Sequence, residues 1–294
     1  MFKPGDRINQ YRVDELVARS CLASIFRATE LTTGRKVAIK IPSIEAQSDP
    51  ITYQRFHREN QIGRKLHHPS IVRIFDDHDR SRAYIVMEWI DGRTIRTILR
   101  ENGRLSTQRS VRLAINVCEA LSYIHTRGIV HHDLKPDNVM VNSADEIKLI
   151  DFGIATAGGA HRLVLCHPEE AMGTPDYISP ERVRGIRGDA RGDIYALGIM
   201  LYEMVSGRVP FDGCNALLIM NARLNDDPAP LSTIIPGIPL PLSEIVSRAI
   251  QRDPRKRYSD ASEFASDLEC TLGLRQPDLP DHAALAGGSD NRIF

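Results

Sequence analysis

Cysteine is scarce and unpatterned in this chain. Its five thiols, Cys21, Cys118, Cys166, Cys214 and Cys270, are odd in number and form no CxxC pair. That argues against a disulfide frame or a cysteine-built zinc site, and for reduced thiols in a cytoplasmic setting. Excess charge is missing as well, since 38 Lys and Arg offset 38 Asp and Glu. Without a net field there is no global attraction to nucleic acid or to an anionic membrane. No apolar run approaches the length of a span, so no membrane segment is expected within the chain. The opening Met1-Phe2-Lys3-Pro4-Gly5-Asp6 lacks the apolar core of a secretory leader. Internal repeats are absent, and the polar stretch 273–294 reads as a flexible tail.

What remains is a chain too long for one small core. Its first part reads as strands with one helix. Strands are expected at Tyr11–Arg19 and Ser24–Glu30, and Thr32-Thr33-Gly34 turns into a third through Val37-Ala38-Ile39-Lys40. Asp49-Pro50 opens a helix that carries Glu59 and ends before His68-Pro69. Strands over Ile71–Asp76 and Ala83–Glu88 follow. Further on, helices dominate. Val111, Ile115, Cys118, Leu121 and Ile124 stripe a helix over Ser106–Thr126, with Cys118 a small core residue and Gly128 the C-cap. Val139–Val141 and Ile147–Ile150 make a hairpin, and Gly192–Ser206 is apolar enough for a buried helix. Asp260 and Glu263 read as a capping box for Ala261–Leu272.

The chemistry is concentrated. His131-His132-Asp133-Leu134-Lys135-Pro136-Asp137-Asn138 sets a carboxylate, an ammonium and an amide close together, and Asp151-Phe152-Gly153 follows one hairpin later. Phosphoryl transfer needs these parts. Asp133 can accept the proton of an attacking hydroxyl, and Lys135 can face the transferring phosphoryl oxygens; Asn138 and Asp151 can hold the metal that neutralises the polyphosphate. Lys40, with Glu59 on the next helix, supplies an ammonium for the α- and β-phosphates and its carboxylate partner. Each string is weak alone, but their joint order is specific. On these residues the chain resembles the eukaryotic-type protein kinase family, and Lys135-Pro136 favours its Ser/Thr branch.

The resemblance covers about residues 10–272. It implies an α+β, two-lobed protein kinase fold with an N-terminal extension over 1–10 and a kinase domain over 11–272. A small β-rich lobe would occupy about 11–90 and a larger helical lobe about 91–272. The implied ATP site comprises Val17, Ala18, Ser20, Ala23, Ile25, Ala38, Lys40, Glu59, Met87, Glu88, Asn138 and Asp151, with Asn138 and Asp151 also binding Mg2+ or Mn2+. Met87 falls at the gatekeeper position, and Glu88-Trp89-Ile90-Asp91-Gly92 resembles the hinge; Trp89 is either a hinge side chain or simple packing. Asp133, Lys135 and Lys40 are the implied catalytic residues. Gly173-Thr174-Pro175-Asp176-Tyr177-Ile178-Ser179-Pro180-Glu181 resembles the end of the activation segment, with Ser179 in place of the usual Ala. By the same resemblance Thr174 should hydrogen-bond near Asp133 and Lys135, Glu181 should pair with Arg257, and Asp193 should brace the catalytic loop.

Two departures matter. The phosphate-covering loop carries Ala18, Ser20 and Ala23 where the family places three glycines. A Cβ at positive φ costs about 1–2 kcal/mol, so the loop either loses ATP affinity or adopts ordinary angles; the second reading is preferred. His132 stands where regulated kinases carry an Arg that receives the activation-loop phosphate. Between Gly153 and Gly173 the one hydroxyl residue is Thr156. Acceptor and receiving cation are missing together, which implies activity without activation-loop phosphorylation. His161, Cys166 and His167 lack a fourth ligand for zinc.

The expected function is transfer of the γ-phosphate of Mg-ATP to Ser or Thr hydroxyls of protein substrates, in the style of bacterial family members. A pseudokinase scaffold and a kinase of small-molecule hydroxyls are the alternatives. Substrate identity and oligomeric state are not legible in the sequence.

Overall fold

The structure is a computed structural model that describes residues 2–76, 83–157 and 175–274. The first lobe is an antiparallel sheet in the order β1 (Arg7–Ile8), β2 (Tyr11–Arg19), β3 (Ala23–Glu30), β4 (Lys36–Pro42) and β5 (Ile85–Glu88). Tyr11, Val13, Phe26, Ala28, Val37, Ile39, Tyr84 and Val86 form its core. Strand β1 lies in the stretch set apart as an extension. Its Ile8 is buried opposite Tyr11, and Phe2 packs edge-on against Phe26 with centroids 6.0 Å apart.

Helices α1 (Ile44–Ser48) and α2 (Pro50–Gly63) connect β4 to β5. Helix α2 starts where Asp49-Pro50 indicates, because the Asp49 carboxylate accepts the amides of Ile51 and Thr52 and proline needs no partner in the first turn. Helix α1 leaves no periodic signature, since five residues are too few for a stripe. The strand expected over 71–76 is replaced by single bridges. Ile71 pairs with Leu149 and Ile74 with Met87, while the amides of Val72 and Phe75 go to Leu149 and Val86. A segment that alternates between partners in two lobes cannot build a ladder with either. The following strand begins at Ile85 rather than Ala83.

The second lobe opens with β6 (Gly92–Thr94), α3 (Ile95–Asn102), α4 (Thr107–His125) and β7 (Ile129–Val130). Strands β8 (Val139–Asn142), β9 (Ile147–Leu149) and β10 (Thr156–Ala157) follow, then helices α5 (Pro180–Val183), α6 (Arg191–Ser206), α7 (Ala216–Asn225), α8 (Leu231–Ile234), α9 (Leu240–Ala249) and α10 (Ala261–Thr271). The sheet order is β6-β8-β9, and β10 pairs with β7. Helix α6 is buried from Asp193 through Val205 and forms the centre of this lobe. It has no polar face because other elements surround it. At Gly198 a Cβ would stand 2.7 Å from Ile250 Cγ2 and 2.9 Å from Ala249 Cβ, so glycine lets α9 approach. Cys118 is buried in this core, as its helical stripe indicates.

Two local expectations shift. Helix α4 closes at Thr126, whose amide bonds to Ser122, and Gly128 at φ +69° turns the chain beyond the cap instead of forming it. Asp260 accepts the amides of Ser262 and Glu263 at 2.9 Å, but Glu263 reaches back to the amide of Ser259 at 2.8 Å, one residue before the cap. Thr174, His161, Cys166, His167 and the stretch 275–294 lie outside the described residues. No helix of the described residues is long and apolar enough to cross a membrane.

Glu181 and Arg257 meet as an ion pair. The guanidinium donates to both carboxylate oxygens at 2.9 and 2.8 Å, and their side chains are 7 % and 0 % exposed, respectively. Arg257 also donates to the carbonyls of Gln251, Arg191 and Arg252, which fastens α5 and the start of α6 to the loop before α10. Arg257→Ala leaves a bare buried carboxylate, so urea denaturation should record a loss of about 3–5 kcal/mol.

Candidate active site

Strand β4 delivers the first charge. Lys40 donates to both oxygens of Glu59 on α2 at 2.9 and 2.7 Å, and its Nζ lies 3.7 Å from Asp151 Oδ2. Burial alone would lower the lysine's pKa, but the Asp151 and Glu59 carboxylates outweigh it and hold it above the ordinary value. Burial also pushes the Glu59 carboxyl up, with the Asp151 charge acting in the same direction and the Lys40 ammonium, which contacts both oxygens, opposing it. Asp151 sits at φ +65° with Oδ1 accepting the Gly153 amide at 3.1 Å. Burial would raise its carboxyl, yet Lys40 and that amide bring it below the usual carboxylate range. A Cβ on Gly153 would come within 3.1 Å of the same Oδ1, so a side chain there would crowd the carboxylate.

The loop between β7 and β8 delivers the second group. Lys135 donates to Asp133 Oδ2 at 2.7 Å, and Asn138 Nδ2 donates to the Asp133 carbonyl at 2.7 Å and to Oδ2 at 3.0 Å. Asn138 thereby spends its amide nitrogen on Asp133, leaving Oδ1 for a cation. One amide oxygen and one carboxylate form a hard oxygen donor set, which suits Mg2+ or Mn2+. Among the described residues no three His, Cys, Asp or Glu side chains gather as a complete metal cage, so phosphates and water would complete such a site.

The loop backbone is held from below. Asp193 is 1 % exposed and accepts the amides of His131 and His132 and the His125 Nε2–H, each at 2.8 Å. Burial would raise the Asp193 carboxyl, but the bond from His125, with His131 and His132 nearby, holds its pKa at about 2. His132 takes φ +65°, its carbonyl accepts from Arg182, and its Nε2 lies 2.9 Å from Thr156 Oγ1 on β10. Burial lowers the His132 pKa to about 4, with the charges of Arg182, His131 and Arg187 acting in the same direction against Asp193. The ring is therefore neutral at pH 7.

The loop between β2 and β3, expected to cover phosphate, carries no strain at its non-glycine positions. Among the described residues the non-glycine residues at positive φ are Asn9, His132, Asp145 and Asp151, so Ala18, Ser20 and Ala23 keep ordinary angles. Ser20 Oγ accepts the amides of Leu22 at 3.2 Å and Ala23 at 3.1 Å, closing a tight hairpin. Val17 is the extra residue of a bulge between the pairs Leu16–Phe26 and Ala18–Ile25, and is 47 % exposed. Ile25 stands opposite Lys40, and Ala38 stands opposite Met87. Glu88 spends its carboxylate on Lys148 and on the Arg73 amide, at 2.7 and 2.8 Å, so a ligand contact there falls to its backbone. Trp89 lies 5.6 Å from the Arg27 guanidinium.

Several supporting residues have no signal in the sequence. Arg96 on α3 reaches Glu203 at 2.7 Å, the Tyr177 hydroxyl at 2.5 Å and Asp137 at 3.3 Å, and Tyr177 donates to Glu203. Arg223, 1 % exposed, donates to the carbonyls of Ile178 and Asp176 at 2.9 and 2.6 Å. These contacts hold the stretch 176–178 beside the catalytic loop. The partners are scattered along the chain, so only the fold assembles them.

Because His132 is harder to protonate in the folded state than its ordinary value of 6.5, the unfolded chain binds more protons between pH 6.5 and 4. Stability should fall as pH drops through that window, by up to about 1.4 kcal/mol per unit. Denaturation of His132→Asn should show a shallower pH slope than the parent over the same range.

The family model described as protein kinase domain matches residues 11–268. A probable serine/threonine-protein kinase of Corynebacterium efficiens is 37 % identical over 89 % of this chain and 41 % of its own length. Serine/threonine-protein kinase PknB of Mycobacterium tuberculosis is 33 % identical over 95 % of this chain and 46 % of its own. The probable PknB of Corynebacterium glutamicum is 37 % identical over 95 % of this chain and 44 % of its own. The chain spans less than half the length of these curated relatives. Matched over nearly all its described residues, the chain belongs to the protein kinase family.

Proposed function

We propose that this chain is a Ser/Thr protein kinase that transfers the γ-phosphate of Mg-ATP to hydroxyls of protein substrates, with a catalytic domain over about 11–272. The observation that carries the reading is the buried Lys40–Glu59 pair within 3.7 Å of Asp151. The serine/threonine kinase names of the relatives point the same way. Lys40 would hold the α- and β-phosphates, and Val17, Ala18, Ser20, Ala23, Ile25, Ala38, Met87 and Glu88 would enclose the nucleotide. Asp133 would orient the substrate hydroxyl and accept its proton, while Lys135, 2.7 Å away, faces the transferring group. Asn138 and Asp151 would hold magnesium or manganese, which neutralises polyphosphate charge when bound. Reduced thiols and the lack of net charge suit a cytoplasmic catalytic unit with no nucleic-acid partner.

Two departures favour a particular kind of kinase. The missing glycines give little support to a scaffold without turnover, because the loop residues keep unstrained angles. His132 is neutral and hydrogen-bonded to Thr156, so the one hydroxyl residue between Gly153 and Gly173 is already engaged by the residue that would otherwise receive a phosphate. Activity without activation-loop phosphorylation follows.

Incubation with γ-labelled ATP, Mg2+ or Mn2+ and a generic Ser/Thr protein should transfer label. Asp133→Asn and Lys40→Met should each cut turnover by roughly 100-fold or more. Label on a sugar or aminoglycoside but on no protein would overturn the substrate class. Phosphatase-treated enzyme should retain its rate, and a Thr156 phosphate required for activity would contradict the regulatory reading.

A further inference from the structure

The residue after β4 ties together two parts of the nucleotide site that no sequence motif links. Every polar group of Ser43 is engaged. Its amide donates to the Leu22 carbonyl at 2.9 Å, and its hydroxyl donates to the Cys21 carbonyl at 2.7 Å. The same oxygen accepts the Ala46 amide at 3.0 Å, and the Ser43 carbonyl accepts the Gln47 amide at 3.0 Å. One serine is thus the N-cap of α1 and the anchor of the loop tip between β2 and β3.

Both sides of this anchor lead to the Lys40–Glu59 pair. Lys40 lies on β4, three residues before Ser43. Helix α1, held by buried Ala46, ends at Asp49, whose amide bonds to Glu45 and whose carboxylate caps α2, the helix that carries Glu59. Within the loop, Ser20 Oγ takes the amides of Leu22 and Ala23, while Ser43 takes the carbonyls of Cys21 and Leu22. The two peptide units after Cys21 are therefore bound at both N–H and C=O. A glycine loop finds its place by flexibility. This loop is a finished hairpin, and its position is set from outside.

We propose that Ser43 is a positioning residue that registers the phosphate-covering loop against α2 and hence against the Lys40–Glu59 pair. The inference rests on reading residues 18–23 as the cover of the nucleotide phosphates. Ser43 couples the position of the cover to that of Glu59. Loss of the hydroxyl frees the Cys21 carbonyl and uncaps α1, so the loop and the start of α2 loosen together. Threonine retains the hydroxyl and should restore both contacts.

The test compares the parent with Ser43→Ala and Ser43→Thr. Amide hydrogen exchange on the nucleotide-free full chain should quicken about fivefold to tenfold at Leu22 and Ala23 and in the first turns of α2 for Ser43→Ala, and return towards the parent rate for Ser43→Thr. Binding of a non-hydrolysable Mg-ATP analogue should weaken by a similar factor, with KM for ATP raised more than kcat is lowered. Faster exchange confined to 44–48 would overturn the proposal, because a simple helix cap moves nothing else. So would unchanged exchange at Leu22 and Ala23, or a Ser43→Thr variant as loose as Ser43→Ala. The exchange readout needs neither nucleotide nor turnover. A parent protein that binds no analogue and transfers no label would defeat the kinase reading, and exchange would still decide whether Ser43 couples loop to helix.

Discussion

The buried carboxylate of Asp193 shapes the reactive part of this molecule. Removed from water, it must be met by donors, and it is met by the amides of His131 and His132 and by the His125 ring. Helix α6 cannot shift to oblige the loop, because it is enclosed from Asp193 to Val205. The loop therefore conforms to the helix. His132 accepts φ +65°, a conformation that costs a β-carbon residue about 1–2 kcal/mol, and the bonds to Asp193 and from Arg182 hold it there. Asp133, Lys135 and Asn138 follow directly, so their mutual geometry descends from one carboxylate in the core of the lobe.

A second constraint is the charge balance above that loop. Lys40 stands between Glu59 and Asp151, so one ammonium faces two carboxyl groups. Glu59 is deeply buried and committed to the lysine, while the Asp151 side chain remains 42 % exposed. The Asp151 carboxylate lies on the accessible side, where a cation would meet it. A buried pair of this kind is weak evidence of stability. Its value is positional, since it joins α2 of one layer to the strand that lines the cleft.

The two departures from the family pattern share a physical solution. Where glycine would leave amides free, Ser20 and Ser43 occupy the hydrogen-bonding groups of the loop. Where an arginine would await a phosphate, His132 meets the Thr156 hydroxyl. In each case a neutral hydroxyl replaces a feature that depends on flexibility or on charge. Neutral bonds are individually weaker than charge-assisted ones, but they need no modification to form and respond little to salt. At both of these described positions the partner is supplied by the fold.

The strands and helices of both lobes were legible because each has a local signature, whereas the Glu181–Arg257 pair, 76 positions apart, was expected from the family resemblance. Strand alternation, the Asp49-Pro50 cap and the dense run from His131 to Asn138 depend on near neighbours, and near neighbours are what a sequence displays. Helix α1 was not legible, since five residues show no period, and the stretch 71–76 reads as a strand until two lobes compete for its amides. The sequence by itself determined the candidate reactive groups and the order in which they lie. Tertiary structure alone decided that Ser43 holds the loop tip, that His132 bonds Thr156, and that Arg96, Tyr177 and Glu203 converge. Those contacts join residues 22 to 107 positions apart, and their formation depends on where the packed core brings the backbone, a quantity that no local pattern encodes.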